Sequence, residues 1–270
     1  SQGFVTNSMI AVILIVNSTS IKADCDNGTI ILSGKPEYPP ISWVKDNKLV
    51  GLGYQAMHKI TNNLNKKVNF KLHTTEPLPW KRAIYMAKLG QIDILVGVRE
   101  SPERSDFLTF MPTPLIESAQ NVFSLNSSTI TSNLDLINRL GGTIAGVNFS
   151  ESFSAFATRN KLVFEEVQKL EQNIMKLKLN RLDYFIAPLL PTIHYIKKNN
   201  IEVDLKFSPQ PLFTSKEKIA ISKKSSCLKH IGLIDQALAR LHQSGFINQE
   251  FDNLTLDWDV LEYIKTDHTN

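Results

Sequence analysis

Leu89-Gly90-Gln91-Ile92-Asp93-Ile94-Leu95-Val96-Gly97-Val98 decides the architecture. Gly90 stops a helix that Pro79 opens, because proline suits a first helical turn and glycine a helix end. Residues 92–98 then run almost wholly apolar, so the strand they form has no face to give to water. A helix leading directly into a doubly buried strand is half of a β-α-β crossover, and it indicates a parallel sheet.

Upstream, residues 29–33 form a β-branched run between Gly28 and Gly34 and read as a buried first strand. The loop after it, Lys35-Pro36-Glu37-Tyr38-Pro39-Pro40-Ile41-Ser42-Trp43, sets aromatic rings beside rigid prolines at a strand's C-terminal end. Open α/β sheets bind ligands at that end. Met57, Ile60 and Leu64 share one helical face, and residues 68–72 alternate like a strand, completing a β-α-β unit.

Downstream the alternation resumes between Asn133 and Pro191. A helix is expected over 134–140, a strand over 143–147, a helix from Ser152, a strand over 163–167, a helix over 172–179 and a strand over 184–187. This is a second α/β lobe. Residues 212–222 return to strand character, and 228–244 make an amphipathic closing helix on Ile231, Ile234, Leu238 and Leu241. The tail after Trp258 is polar and expected to fray.

With 42% hydrophobic and 21% charged residues in a chain of 270, a sizeable core is available and disorder is excluded. The 30 basic and 26 acidic residues are interspersed without a basic stripe, which argues against a nucleic-acid partner. Residues 9–16 are an apolar run far short of the roughly 20 residues that span a membrane, and Ile21-Lys22-Ala23 ends in the small residue of a cleavage site. Residues 1–23 are expected to be a signal peptide cut after Ala23, or an expression remnant, since 1–8 carry no positive charge; a buried strand of the fold is the alternative reading of the apolar run. Export favours pairing of Cys25 with Cys227, the alternative being two free thiols. The six histidines are scattered and neither cysteine belongs to a CxxC, so neither metal nor cofactor is expected.

Several segments, in order and spacing, resemble the periplasmic solute-binding proteins of type II fold, in the family containing the polar amino acid receptors of ABC transporters. They are Pro79-Trp80-Lys81-Arg82-Ala83, the stretch 89–98, Ser101-Pro102-Glu103-Arg104 with Phe110, Pro112 and Pro114 after it, and the Tyr38-Pro39-Pro40 loop. Gly51-Leu52-Gly53-Tyr54, Leu179-Asn180-Arg181-Leu182-Asp183 and the stretch 235–245 also fit. The resemblance implies two α/β lobes joined by two crossing strands and closing on a small ligand. Lobe one would comprise 24–116 and 213–270, lobe two 123–206, with hinge strands at 116–122 and 207–212.

The resemblance places Arg104 where a guanidinium grips a ligand carboxylate, a bidentate pairing suited to its planar fork; a surface arginine paired with Glu103 or Asp106 is the alternative. Tyr38 and Trp80 offer stacking surfaces, with core packing as the competing role. Gly97 and Val98 end a strand with backbone groups facing the cleft, and Arg99 offers a second positive charge. In lobe two, Phe149, Ser150, Glu151 and Ser152 link a strand to a helix whose free amides can receive an anion, Ser152 alternatively capping that helix and Glu151 alternatively meeting an ammonium. Relatives commonly carry an acid five residues after the aspartate matched by Asp183; here Pro188 stands there.

The expected function is therefore that of a monomeric periplasmic protein binding a carboxylate-bearing, amino acid-like solute for an ABC permease. A sensory module for a membrane receptor is one alternative. A dehydratase-type lyase on the same fold is another; it would need a cleft acid of raised pKa, with Glu37 and Glu151 as candidates.

Overall fold

A computed structural model describes residues 25–65, 68–125, 130–145, 147 and 149–256. A short 3-10 turn at Cys25–Asn27 leads into strand β1 (Thr29–Gly34), buried on both faces as its composition requires. Three short antiparallel strands follow, β2 (Glu37–Tyr38), β3 (Ser42–Lys45) and β4 (Lys48–Val50), the last two joined by Asp46 and Asn47 at positive φ. Helix α1 (Leu52–Leu64) buries Ala56, Met57, Ile60 and Leu64, and β5 (Lys71–Thr74) returns parallel to β1. Helix α2 (Trp80–Leu89) ends at Gly90 with φ 79°, and β6 (Ile94–Val98) pairs parallel with the other side of β1.

One turn of helix, α3 (Pro102–Ser105), and β7 (Leu108–Phe110) precede the long strand β8 (Ile116–Leu125), which carries the chain into the second half. There a 3-10 turn at Asn133–Leu136, β9 (Leu140–Ile144), α4 (Glu151–Arg159), β10 (Val163–Val167), α5 (Leu170–Lys178), β11 (Tyr184–Pro188) and α6 (Leu189–Lys198) follow. Strand β9 lies parallel between β10 and β11. Strand β12 (Leu205–Phe207) pairs with β8, and β13 (Phe213–Ser222) returns to the first half. A 3-10 turn at Ser226–His230, α7 (Ile231–Gln243) and α8 (Phe246–Thr255) close the described chain.

Along the large sheet the order is β10-β9-β11-β8-β13-β6-β1-β5, with β12 and β7 added at its sides. Strands β8 and β13 pair antiparallel at its centre, Ile116 to Gln120 against Glu217 to Phe213, and join two α/β halves. Each half has apolar clusters on both faces of its sheet: Met57 and Leu238 against Ala83 and Leu95 in the first, Ile174 and Phe185 against Phe153 and Tyr184 in the second. This is the two-lobed type II periplasmic-binding-protein fold, its first lobe discontinuous in sequence.

Three details differ from expectation. The antiparallel crossing with β8 runs through Phe213–Glu217; in the 207–212 segment expected to cross, Ser208 and Leu212 donate to Val122 and Gln120 of β8, but Pro209 and Pro211 between them have no N–H to offer a ladder. The helix expected at 134–140 is one 3-10 turn, because β9 begins at Leu140, where Gly141 packs so tightly on Phe164 and Tyr184 that a Cβ would stand 2.7 Å from both. Helices α6 and α8 have no counterpart in the expected pattern; Pro188 and Pro191 occupy the N-terminal end of α6, where proline is tolerated.

Cys25 and Cys227 form a disulfide, Cα atoms 5.0 Å apart, buried in the first-lobe core. Among the described residues no helix is long and apolar enough to cross a membrane, and no three His, Cys, Asp or Glu side chains stand together as metal ligands. The expected signal segment and the tail after Trp258 lie outside the described residues.

Candidate functional site

The C-terminal ends of the parallel strands in both lobes open on one cavity of about 850 Å³, within the range for small-molecule sites. From lobe one, the segment after β1 supplies Lys35, Glu37 and Tyr38, the start of α2 supplies Trp80, and the segment after β6 supplies Arg99 and Arg104. From lobe two, Ile144 and Val147 come from the end of β9 and just after it, Lys169 precedes α5, and Pro188, Thr192 and Tyr195 belong to the end of β11 and to α6.

At the lobe-one wall a buried acid organises the charges. Glu217 on β13 is fully buried. One of its oxygens accepts from Arg99 Nε at 2.7 Å and from the Tyr38 hydroxyl at 3.0 Å, and the other faces Lys35 Nζ at 3.5 Å. Arg99 Nη2 also donates to the Tyr38 oxygen at 3.0 Å, and that oxygen lies 3.1 Å from Ser118 Oγ on β8. Lys35 Nζ sits 4.0 Å from the centre of the Tyr38 ring and 5.7 Å from that of Trp80, a cation–π arrangement with both. Arg104 is half-buried, with Nη1 donating to the Arg99 carbonyl at 2.9 Å.

These contacts set the ionisation of the wall. Burial alone would raise the Glu217 carboxyl, but the charges of Lys35 and Arg99 and the hydrogen bonds from Arg99 and Tyr38 outweigh it and hold the group ionised below its ordinary range. Burial pushes Lys35 down to about 8 against the pull of Glu217, with Arg99 and Arg104 adding repulsion. Burial and the Glu217 charge push the Tyr38 hydroxyl up to about 12. Arg104 is lowered by burial and then by Arg99, so its guanidinium sits among like charges with no carboxylate of its own lobe bonded to it in the hydrogen-bond pattern described above.

Of the residues singled out in the sequence, Tyr38, Trp80, Arg99 and Arg104 meet at the cavity. Tyr38 presents its ring and hydroxyl from a buried position, held by three polar partners. Arg104 pairs with neither Glu103 nor Asp106 among the described ion pairs. Gly97 and Val98 do not line the cavity: the Val98 side chain is fully buried in the cluster under α2, and Gly97 packs on Ile41. Nor do Phe149, Ser150, Glu151 and Ser152 line it. Phe149 stacks edge-on against Phe153 and Phe213, Ser150 caps α4 by accepting from the Phe153 amide, Ser152 meets the Ser150 hydroxyl, and Glu151 is exposed.

Lys35, Glu217, Lys169 and Thr192 escape the sequence reading. Glu217 leaves a readable trace: Phe213, Ser215, Glu217 and Ile219 alternate on the buried face of one strand, and a charge in that phase needs a buried partner. Lys35 begins the aromatic loop but carries no spacing signal, and Thr192 lies in a helix the prolines conceal.

Among solved structures the fold matches several binding proteins at low identity. A histidine kinase sensor domain with similarity to periplasmic binding proteins superposes with a TM-score of 0.67 at 17% identity, covering 84% of this chain and 95% of that one. A mutant of ArgBP from T. maritima gives 0.64 at 18%, covering 86% and 97%. AbpA from Streptococcus pneumoniae, an amino acid ABC transporter substrate-binding protein bound to L-arginine, gives 0.64 at 19%, covering 85% and 95%. No curated protein sequence matches the chain. Residues 30–253 match the profile of the bacterial extracellular solute-binding proteins, family 3, and the chain belongs to that family.

Proposed function

We propose that the protein is a periplasmic binding protein whose two lobes, divided at the β8 and β13 crossings, close on a small carboxylate-bearing solute gripped by Arg104. The observation that carries this reading is the convergence of Arg104, Arg99 and Lys35 with the Tyr38 and Trp80 rings on a cavity walled by both lobes. A guanidinium among like charges gains from a carboxylate, and the gain favours closure to the extent that lobe two contacts the same solute. Sites of this fold named for arginine or other amino acids are in keeping with a small carboxylate ligand. Delivery to an ABC permease is the proposed outcome; the likeness to a sensor domain keeps a membrane receptor as the alternative reader of the closed state. A lyase needs a buried cleft acid that keeps its proton; of the two candidates Glu151 does not line the cavity and Glu37 lines it exposed, and the family is one of solute-binding proteins.

Thermal unfolding of the protein with a panel of amino acids, mono- and dicarboxylates and aromatic acids tests the reading. A true ligand at 100 times its Kd stabilises the fold by about 2.7 kcal/mol, and Arg104→Ala is expected to abolish the shift. A carboxylate that stabilises the variant as well as the wild type would refute the role of Arg104.

A further inference from the structure

We propose that the cleft takes a solute with two anionic ends and no ammonium group, in the simplest case a dicarboxylate, with its second anionic end at the start of α6 around Thr192. The inference rests on the reading of Arg104 as the first carboxylate's partner and adds a second pole in the opposite lobe.

Thr192 lines the cavity and is fully buried, yet its hydroxyl has no hydrogen-bond partner among the described residues. A buried donor left unpaired weakens the fold, and a solute oxygen that accepts from it recovers that loss on binding. The hydroxyl stands in the first turns of a ten-residue helix with no side-chain cap: Pro188 occupies the N-cap, and the Leu189 and Leu190 amides precede Pro191, which has no N–H. The positive end of the helix dipole favours an anion there. Lys169, ahead of α5, adds a charge to the same wall.

The charge balance of the cavity disfavours an ammonium. Lys35, Lys81, Lys88, Arg99, Arg104 and Lys169 line it against three acids, Glu37, Glu103 and Glu171. Lys35, Arg99 and Arg104 are the half-buried ones, whereas all three acids are exposed, and burial together with the nearby charges of Glu171 and Glu37 pushes the Tyr195 hydroxyl on α6 up. The buried carboxylate beside the cavity, Glu217, is already shared by Arg99, Lys35 and Tyr38, so a solute ammonium at the lobe-one wall meets cations. Trp80, Ile84 and Ile144 add apolar surface to the same cavity, which suits a short methylene chain.

Calorimetric titration of the whole chain with malonate, succinate, glutarate, adipate, butyrate, L-glutamate and L-arginine tests the proposal. One dicarboxylate is expected to bind at least about tenfold more tightly than butyrate, and glutarate at least about tenfold more tightly than L-glutamate, which differs by its ammonium. Thr192→Val is expected to weaken the dicarboxylate about tenfold while leaving butyrate unchanged, and to melt no lower than wild type without ligand, because the methyl replaces an unpaired hydroxyl. If butyrate matches the best dicarboxylate, if an amino acid binds more tightly, or if Thr192→Val affects both acids equally or neither, the two-pole proposal is overturned and any Arg104-dependent binding leaves the solute-binding reading standing. Dicarboxylate binding that Arg104→Ala leaves intact, or no binding across the panel, overturns the carboxylate site and this proposal with it.

Discussion

The ammonium of Lys35 lies against the Tyr38 ring and one Glu217 oxygen, and burial lowers its pKa from 10.5 to about 8. Its charge acts in opposite senses on binding and on stability. A carboxylate in the cleft gains from the protonated form, so affinity is expected to fall as pH rises through about 8, and Lys35→Met is expected to bind more weakly and to lose that dependence. Stability runs the other way: the folded pKa lies below the unfolded one, so the charged lysine costs the fold below about 8 and the cost is relieved as pH climbs toward 10.5. Melting curves of wild type and Lys35→Met from about pH 7 to about pH 10 check the sign, since the difference between them should move in favour of the wild type. Asp93, within the stretch that decides the fold, serves the architecture instead. Its carboxylate accepts from the Ile31 amide and the Ser225 hydroxyl and so ties β1 to the segment after β13.

At the scale of the element, β6 shows how one backbone position fixes a site. Gly97 has φ 65°, and a Cβ there would stand 2.7 Å from Ile41 Cγ2. The left-handed residue turns the chain so that Val98 enters the core while Arg99 reaches Glu217. Gly97→Ala is expected to cost about 1 to 3 kcal/mol in urea denaturation, and wild-type stability in that variant would contradict the role. The strands and helices with strong period, such as α1, α2, β6 and α7, are legible in the sequence because burial dictates their patterns. Helix α6 is not, since its prolines sit where a helix tolerates them and where a local reading sees a break. The site divides along the same line. Lobe one announces Tyr38, Trp80, Arg99 and Arg104 by loop position and motif, whereas Phe149 to Ser152 in lobe two build an aromatic cluster and a helix cap, and the cavity takes its wall from Lys169 and Thr192. Which of two helix starts faces a neighbouring lobe is a matter of tertiary geometry, to which local sequence pattern is blind.

Across the whole molecule, the two lobes are joined where β8 and β13 pair, and the acid that organises the lobe-one wall, Glu217, lies in that pairing opposite Ile116. The lobes can be counted from sequence because the β-α alternation restarts; the crossing can be placed only roughly, since the prolines before Phe213 break the strand pattern. The disulfide spans 202 residues, and in the chain-entropy model replacing both cysteines by alanine is expected to cost about 5 kcal/mol, read as a lower denaturation midpoint with the fold retained. A denaturation curve that superposes on the wild type would count against that magnitude. The same bond makes a covalent ring of the chain from Cys25 to Cys227, and lobe two, with both of its crossings, belongs entirely to the ring. Tension applied between the ends of the molecule therefore travels through two sulfur atoms and the C-terminal helices α7 and α8. The second lobe lies off that load path, so tension between the segments before Cys25 and after Cys227 is not carried by the two crossings that hold the cleft.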